Sequence, residues 1–80
     1  MQRGEIVVSS AGKDKGLLMV VSHRDDSGVY VINGREHPTD KPKRKNPRHL
    51  KSLSLTVTES DMETNRTLRR ALTKVAPEQK

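Results

Sequence analysis

The residues of this chain that could do chemistry are mostly cations. Lysine and arginine number 16 against 10 aspartates and glutamates, a formal net charge of +6. Residues 35–51 hold most of the excess: seven bases (Arg35, Lys41, Lys43, Arg44, Lys45, Arg48 and Lys51) against two acids (Glu36 and Asp40). Such a block repels itself in isolation and is stabilised by a polyanion, since each phosphate it neutralises releases condensed counterions. A smaller set stands at Gly12-Lys13-Asp14-Lys15-Gly16. There the glycines tolerate positive φ and let backbone N–H groups and the Lys13 and Lys15 ammoniums approach one anion together. Asp14 between them is suited to fixing the loop. A nucleotide-hydrolysing phosphate loop needs G-x-x-x-x-G-K-[ST], which this segment does not supply.

Other chemistry finds no pattern. The chain has no cysteine, and His23, His37 and His49 lie fourteen and twelve residues apart, so no metal-ligand spacing is present. Asp25-Asp26 adjoins Ser27-Gly28 and is explained by turn chemistry, and no nucleophile motif surrounds the serines. We read the chain as a non-enzyme without metal or cofactor. Eighty residues, 30% of them hydrophobic, leave little core from which to cut a deep active-site cavity. The longest apolar run, Leu17 to Val21, falls far short of the roughly 20 residues that span a bilayer. The first residues lack a secretory layout. Together with the lack of cysteine, this predicts a soluble, cytoplasmic monomer.

Tyr30 is the sole aromatic residue. Sequence-tolerant single-strand binders stack bases on several aromatics, so recognition of folded RNA by shape and backbone is the expectation here. Tyr30 has two readings, barrel wall or stacking platform. His49 also has two, a surface cation beside Arg48 or a structural residue beside Leu50. If the segment around Lys43, Arg44 and Lys45 is extended, Arg44 points away from its neighbours, either to a second RNA strand or to Asp40.

These residues need a scaffold. Gly4 to Ser9 reads as a first strand, Ser10 to Gly16 as a loop and Leu17 to His23 as a second strand. Arg24 to Gly28 reads as a turn and Val29 to Ile32 as a third strand. Asn33-Gly34 is a hairpin signal of type I′. Pro38, Pro42 and Pro47 exclude a helix or central strand from the basic block and leave edge-like, extended backbone. Leu53 to Thr58 alternates, which predicts a closing strand with Leu53, Leu55 and Val57 on one face. Ser60-Asp61-Met62-Glu63 has the form of a capping box opening a helix of about four turns over 59–76. Leu68, Ala71, Leu72 and Val75 make its apolar stripe and Pro77 its stop, before a 77–80 tail. Whether the stripe packs on the strands or on a partner is open. Strands this short avoid exposed edges by curling into a small barrel.

Two stretches carry a family resemblance. Gly4-Glu5-Ile6-Val7-Val8-Ser9-Ser10-Ala11-Gly12-Lys13-Asp14-Lys15-Gly16 resembles the KOW motif of ribosomal proteins and transcription elongation factors: a hydrophobic strand, a basic glycine-bearing loop and the start of a second strand. Tyr30-Val31-Ile32-Asn33-Gly34-Arg35, the segment Lys41-Pro42-Lys43-Arg44-Lys45-Asn46-Pro47-Arg48-His49-Leu50 and Leu68-Arg69-Arg70-Ala71-Leu72 resemble small bacterial KOW-domain RNA-binding proteins. Those proteins are in turn similar to the archaeal and eukaryotic large-subunit ribosomal protein fourteen-e. Asn33, where an aspartate is usual, and Pro47 depart from that pattern. The resemblance implies a mainly β fold, an SH3-like (KOW-type) barrel of four to five strands over residues 1–58 with a C-terminal helix. It also implies binding to ribosomal RNA or the large ribosomal subunit. The RNA-binding residues expected are Gly12, Lys13, Lys15, Arg35, Lys41, Lys43, Arg44, Lys45, Arg48, His49 and Lys51. The competing expectations are an SH3-like adaptor that docks a protein through the Leu68–Leu72 stripe, and a DNA-associated factor.

Overall fold

The computed structural model describes residues 1–75; the expected helix end at Ala76, the Pro77 stop and the tail lie outside the described residues. Ile6-Val7-Val8, Leu17 to Val21 and Val29 to Ile32 are unbroken apolar runs, the pattern of strands covered on both faces. They form β1 (Glu5–Ser9), β2 (Leu18–Asp25) and β3 (Gly28–Ile32), followed by the short β4 (Lys43–Lys45) and β5 (Leu50–Thr56). All pair antiparallel in the order β4-β3-β2-β1-β5.

The sheet has to curl. Its two edges, β4 and β5, are joined by Asn46 and a single 3-10 turn, Pro47–His49. Five strands laid flat would hold those edges about 19 Å apart, at nearly 5 Å per neighbour, whereas a 3-10 turn rises only about 2 Å per residue. Leu50 of β5 accordingly shares one buried cluster with Val29 and Val31 of β3, together with Val7, Met19 and Val21. The opposite face of the central strands presents Ile6, Val20 and Ile32, which pack against Met62, Leu68 and Leu72. The result is the architecture of a small SH3-like β-barrel followed by one helix.

That helix, α1 (Asn65–Val75), lays its stripe on the barrel, with Leu68 fully buried. The predicted Ser60–Glu63 box is not the helix start. Thr58 and Asp61 cap each other's backbone N–H groups around a 3-10 turn, Ser60–Met62, that turns Met62 into the core. A second reciprocal pair, Thr64 and Thr67, then opens α1. Two threonine caps divide what the sequence pattern reads as one helix of four turns, so α1 is shorter.

Two further expectations are corrected. Asn33-Gly34 is not a two-residue hairpin, because β3 reaches β4 only after a ten-residue connection and Asn33 has no positive φ. Gly34 (φ +78°) instead lies against α1, where an added Cβ would come within 2.6 Å of the Asn65 carbonyl oxygen. In β5 the alternation breaks at Ser54, which adopts φ 59°, and the pairing with β1 shifts between Glu5 and Val7. Leu53 and Val57 still pack on the core, but Leu55 is turned out, 48% exposed. Among the described residues no helix is long and apolar enough to cross a membrane.

Candidate nucleic-acid interface

The loop between β1 and β2 is rigidified from within. Gly12, at φ 78°, takes the left-handed turn that a side chain would resist, and its carbonyl accepts from Lys15 N–H. Gly16 N–H returns to the Ser9 carbonyl and Leu17 N–H to that of Asp14. The backbone donors of Lys15 and Gly16 are therefore spent inside the loop, and the Lys13 and Lys15 side chains are exposed at its surface.

Two contacts fasten this loop to the basic segment. At its start, Ser10 N–H donates to the His49 carbonyl at 2.9 Å. At its middle, Asp14 Oδ2 accepts from Lys45 Nζ at 2.7 Å and from His37 Nε2 at 2.9 Å. A carboxylate can only accept, so His37 carries its proton on Nε2. The three side chains are 13–16% exposed. The Lys45 ammonium, and after it the His37 N–H, hold the Asp14 carboxyl below the usual carboxylate range.

His37 is itself held. The buried Asn33 amide accepts from the backbone N–H groups of Arg35 and His37 and donates to Glu36, while Asn33 N–H bonds the His37 carbonyl. Asn65 of α1 accepts from Thr39 N–H and Arg69 donates to the Gly34 carbonyl. Asn33 thus positions His37, His37 and Lys45 position Asp14, and Asp14 positions the lysine loop. Asp14 is visible in the sequence as an acid between two lysines; nothing in the spacing of Asn33, His37, Asn65 and Arg69 marks them for this task.

The expected site residues separate into three groups. Gly12, Lys13, Lys15, Lys45, Arg48 and His49 come together around the Asp14 and Ser10 contacts, and Lys43 stands on the same side of β4 as Lys45, since the two lie opposite Val31 and Val29. Within this group Lys45 is committed to Asp14, whereas Lys13, Lys15, Lys43 and Arg48 are exposed and their side chains have no partner among the described residues. The His49 side chain is exposed and only its backbone is structural. Arg44 forms a second group on the other face of β4, where it donates to the Ser27 carbonyl at 2.9 Å and not to Asp40. Arg35, Lys41 and Lys51 lie apart: Arg35 lines a cleft with Gly16 and Arg69, Lys41 is in the long connection, and Lys51 projects from the outer face of β5 opposite Val8.

No protein-family model matches the chain, and no curated protein matches it.

Proposed function

We propose that this protein is a non-catalytic RNA-binding module that grips structured RNA, ribosomal RNA being the expected target, by its phosphate backbone. The observation that carries this reading is the Asp14–Lys45 contact, which joins two ribbons distant in sequence into one cationic ridge. Four exposed cations, Lys13, Lys15, Lys43 and Arg48, whose side chains have no partner among the described residues, flank that contact. Lysine and arginine held on a rigid frame suit the phosphates of a folded RNA more than base edges, which the deep, narrow major groove of A-form RNA hides. An adaptor would need an available Leu68–Leu72 stripe, and both residues are buried in the protein's own core.

The test is fluorescence anisotropy with a labelled RNA stem-loop, a DNA duplex of the same sequence and a single strand, at low and moderate salt. RNA is expected to bind most tightly, and Lys43→Ala/Arg48→Ala to weaken it at least tenfold, each lost phosphate contact counting roughly 1 kcal/mol. Equal binding of RNA and DNA, or indifference to the double substitution, would overturn the reading.

A further inference from the structure

The far face of β4 carries a different arrangement. His23 and Tyr30 face each other across β2 and β3, and their rings stack with centroids 4.3 Å apart at an interplanar angle of 11°. Arg44 lies opposite Tyr30 on β4, so an imidazole, a phenol ring and a guanidinium occupy neighbouring strands in one row. The row lies outside the barrel, since Tyr30 alternates with Val29 and Val31, which point into the interior cluster. Tyr30 is half-buried between its neighbours and its hydroxyl meets Ser27 Oγ at 3.2 Å; His23 is exposed, with one ring face against Tyr30. The adjacent Asp25 carboxylate is engaged by the Ser27 and Gly28 N–H groups and the Ser27 hydroxyl.

We propose that this row is a nucleobase site: an unpaired base of the bound RNA stacks on the open face of His23, continuing the His23–Tyr30 stack, with Arg44 supplying positive charge beside it. The proposal rests on the RNA-binding reading above and deepens it by specifying the RNA, a structured element with a bulged or looped-out base. Every base has a π-face, and stacking on an aromatic side chain is sequence-tolerant. A proline-rich peptide would need a groove lined by several aromatics, and Tyr30 is the only Phe, Tyr or Trp in the chain. β4 is a three-residue edge strand, with Lys43 and Lys45 on one face and Arg44 on the other. An RNA backbone held at the lysine ridge can therefore pass the edge and place a base on the row.

The chain has one tyrosine and no tryptophan, so tyrosine emission reports this site alone. A perfectly paired RNA stem and the same stem with one bulged purine are titrated into the full chain, following anisotropy and tyrosine emission. The bulged RNA is expected to bind about tenfold more tightly and to quench the emission, the size of one base–aromatic stack. In His23→Ala that preference and the quench are lost, while the paired stem binds as before. Tyr30→Leu, which keeps apolar cover over the sheet, also abolishes the preference. Equal binding of the two stems without quenching, or a preference that survives in His23→Ala, overturns this inference and leaves the backbone-binding function standing; failure to bind either stem overturns both.

Discussion

Replacing Asp14 by asparagine removes the charge that joins the two ribbons while keeping the shape of the side chain. At an effective dielectric near 20, an ion pair about 3 Å apart attracts by on the order of 5 kcal/mol, and desolvation of both partners cancels much of it. Exposed pairs contribute about 0–1 kcal/mol and breaking a buried one costs about 3–5. The Asp14–Lys45 pair, with its side chains 14% and 16% exposed, lies between these limits. We expect a loss of about 2 kcal/mol, which in a domain of this size lowers the melting temperature by about 8–16 °C. The pH dependence has a definite sign. Because Lys45 and His37 hold the folded-state carboxyl below its usual range, the contribution is complete above the unfolded carboxyl value, about 3.9, and is lost as pH falls through the folded one. The gap between wild type and Asp14→Asn should therefore be steady at neutral and mildly acidic pH and shrink once the pH falls below that unfolded value, closing as it passes through the lower folded one. Binding gives an independent sign. If Asp14 were only an acid near an RNA surface, its removal would tighten RNA binding; if it positions the lysine loop, removal weakens binding despite the added positive charge. Thermal melts across pH and anisotropy with a stem-loop RNA read both. A melting temperature unchanged at neutral pH, or tighter RNA binding by the variant, would refute the reasoning.

Three other outcomes are expected. Gly34→Ala should destabilise the fold by at least about 2 kcal/mol, since its Cβ would meet the Asn65 carbonyl at 2.6 Å in a backbone conformation that alanine resists; denaturant unfolding measures it. Leu68→Ala should cost about 3 kcal/mol through the cavity left under α1. That is a large share of the roughly 4–12 kcal/mol available to a domain of this length, and calorimetry would show it as a much lower, broader transition. Ser54→Gly should stabilise by about 0.5–1 kcal/mol, because glycine adopts φ 59° without strain at some entropic cost; a chemical melt with a lower midpoint than wild type would contradict this.

The fold was legible where burial on both faces leaves an unbroken apolar run, as in β1 to β3, and where prolines restrict the chain to an edge, as around β4. It was not legible where one residue type serves two geometries. Asn33-Gly34 suits a tight hairpin equally well as a buried amide organising a long connection with a glycine pressed against a helix. The Ser60–Glu63 pattern lost to the Thr58–Asp61 and Thr64–Thr67 caps, between which Met62 reaches the core. In β5 the left-handed Ser54 is a local event that the alternation of Leu53, Leu55 and Val57 gives no sign of. At the site, charge density located both ribbons, but the allocation of Lys45 to Asp14 and of Arg44 to Ser27 depends on tertiary contacts between residues 31 and 17 positions apart.

The most direct test of the two-ribbon ridge is the salt dependence of structured RNA binding, measured for the wild type and for each ribbon stripped of its exposed cations. Four phosphate contacts, from Lys13, Lys15, Lys43 and Arg48, give a slope of log affinity against log salt of about −3 to −4. Lys13→Ala/Lys15→Ala and Lys43→Ala/Arg48→Ala should each reduce its magnitude by about 2, and the two losses should add. A slope that one pair of substitutions leaves intact while the other abolishes it would show that a single ribbon binds RNA and would contradict the ridge.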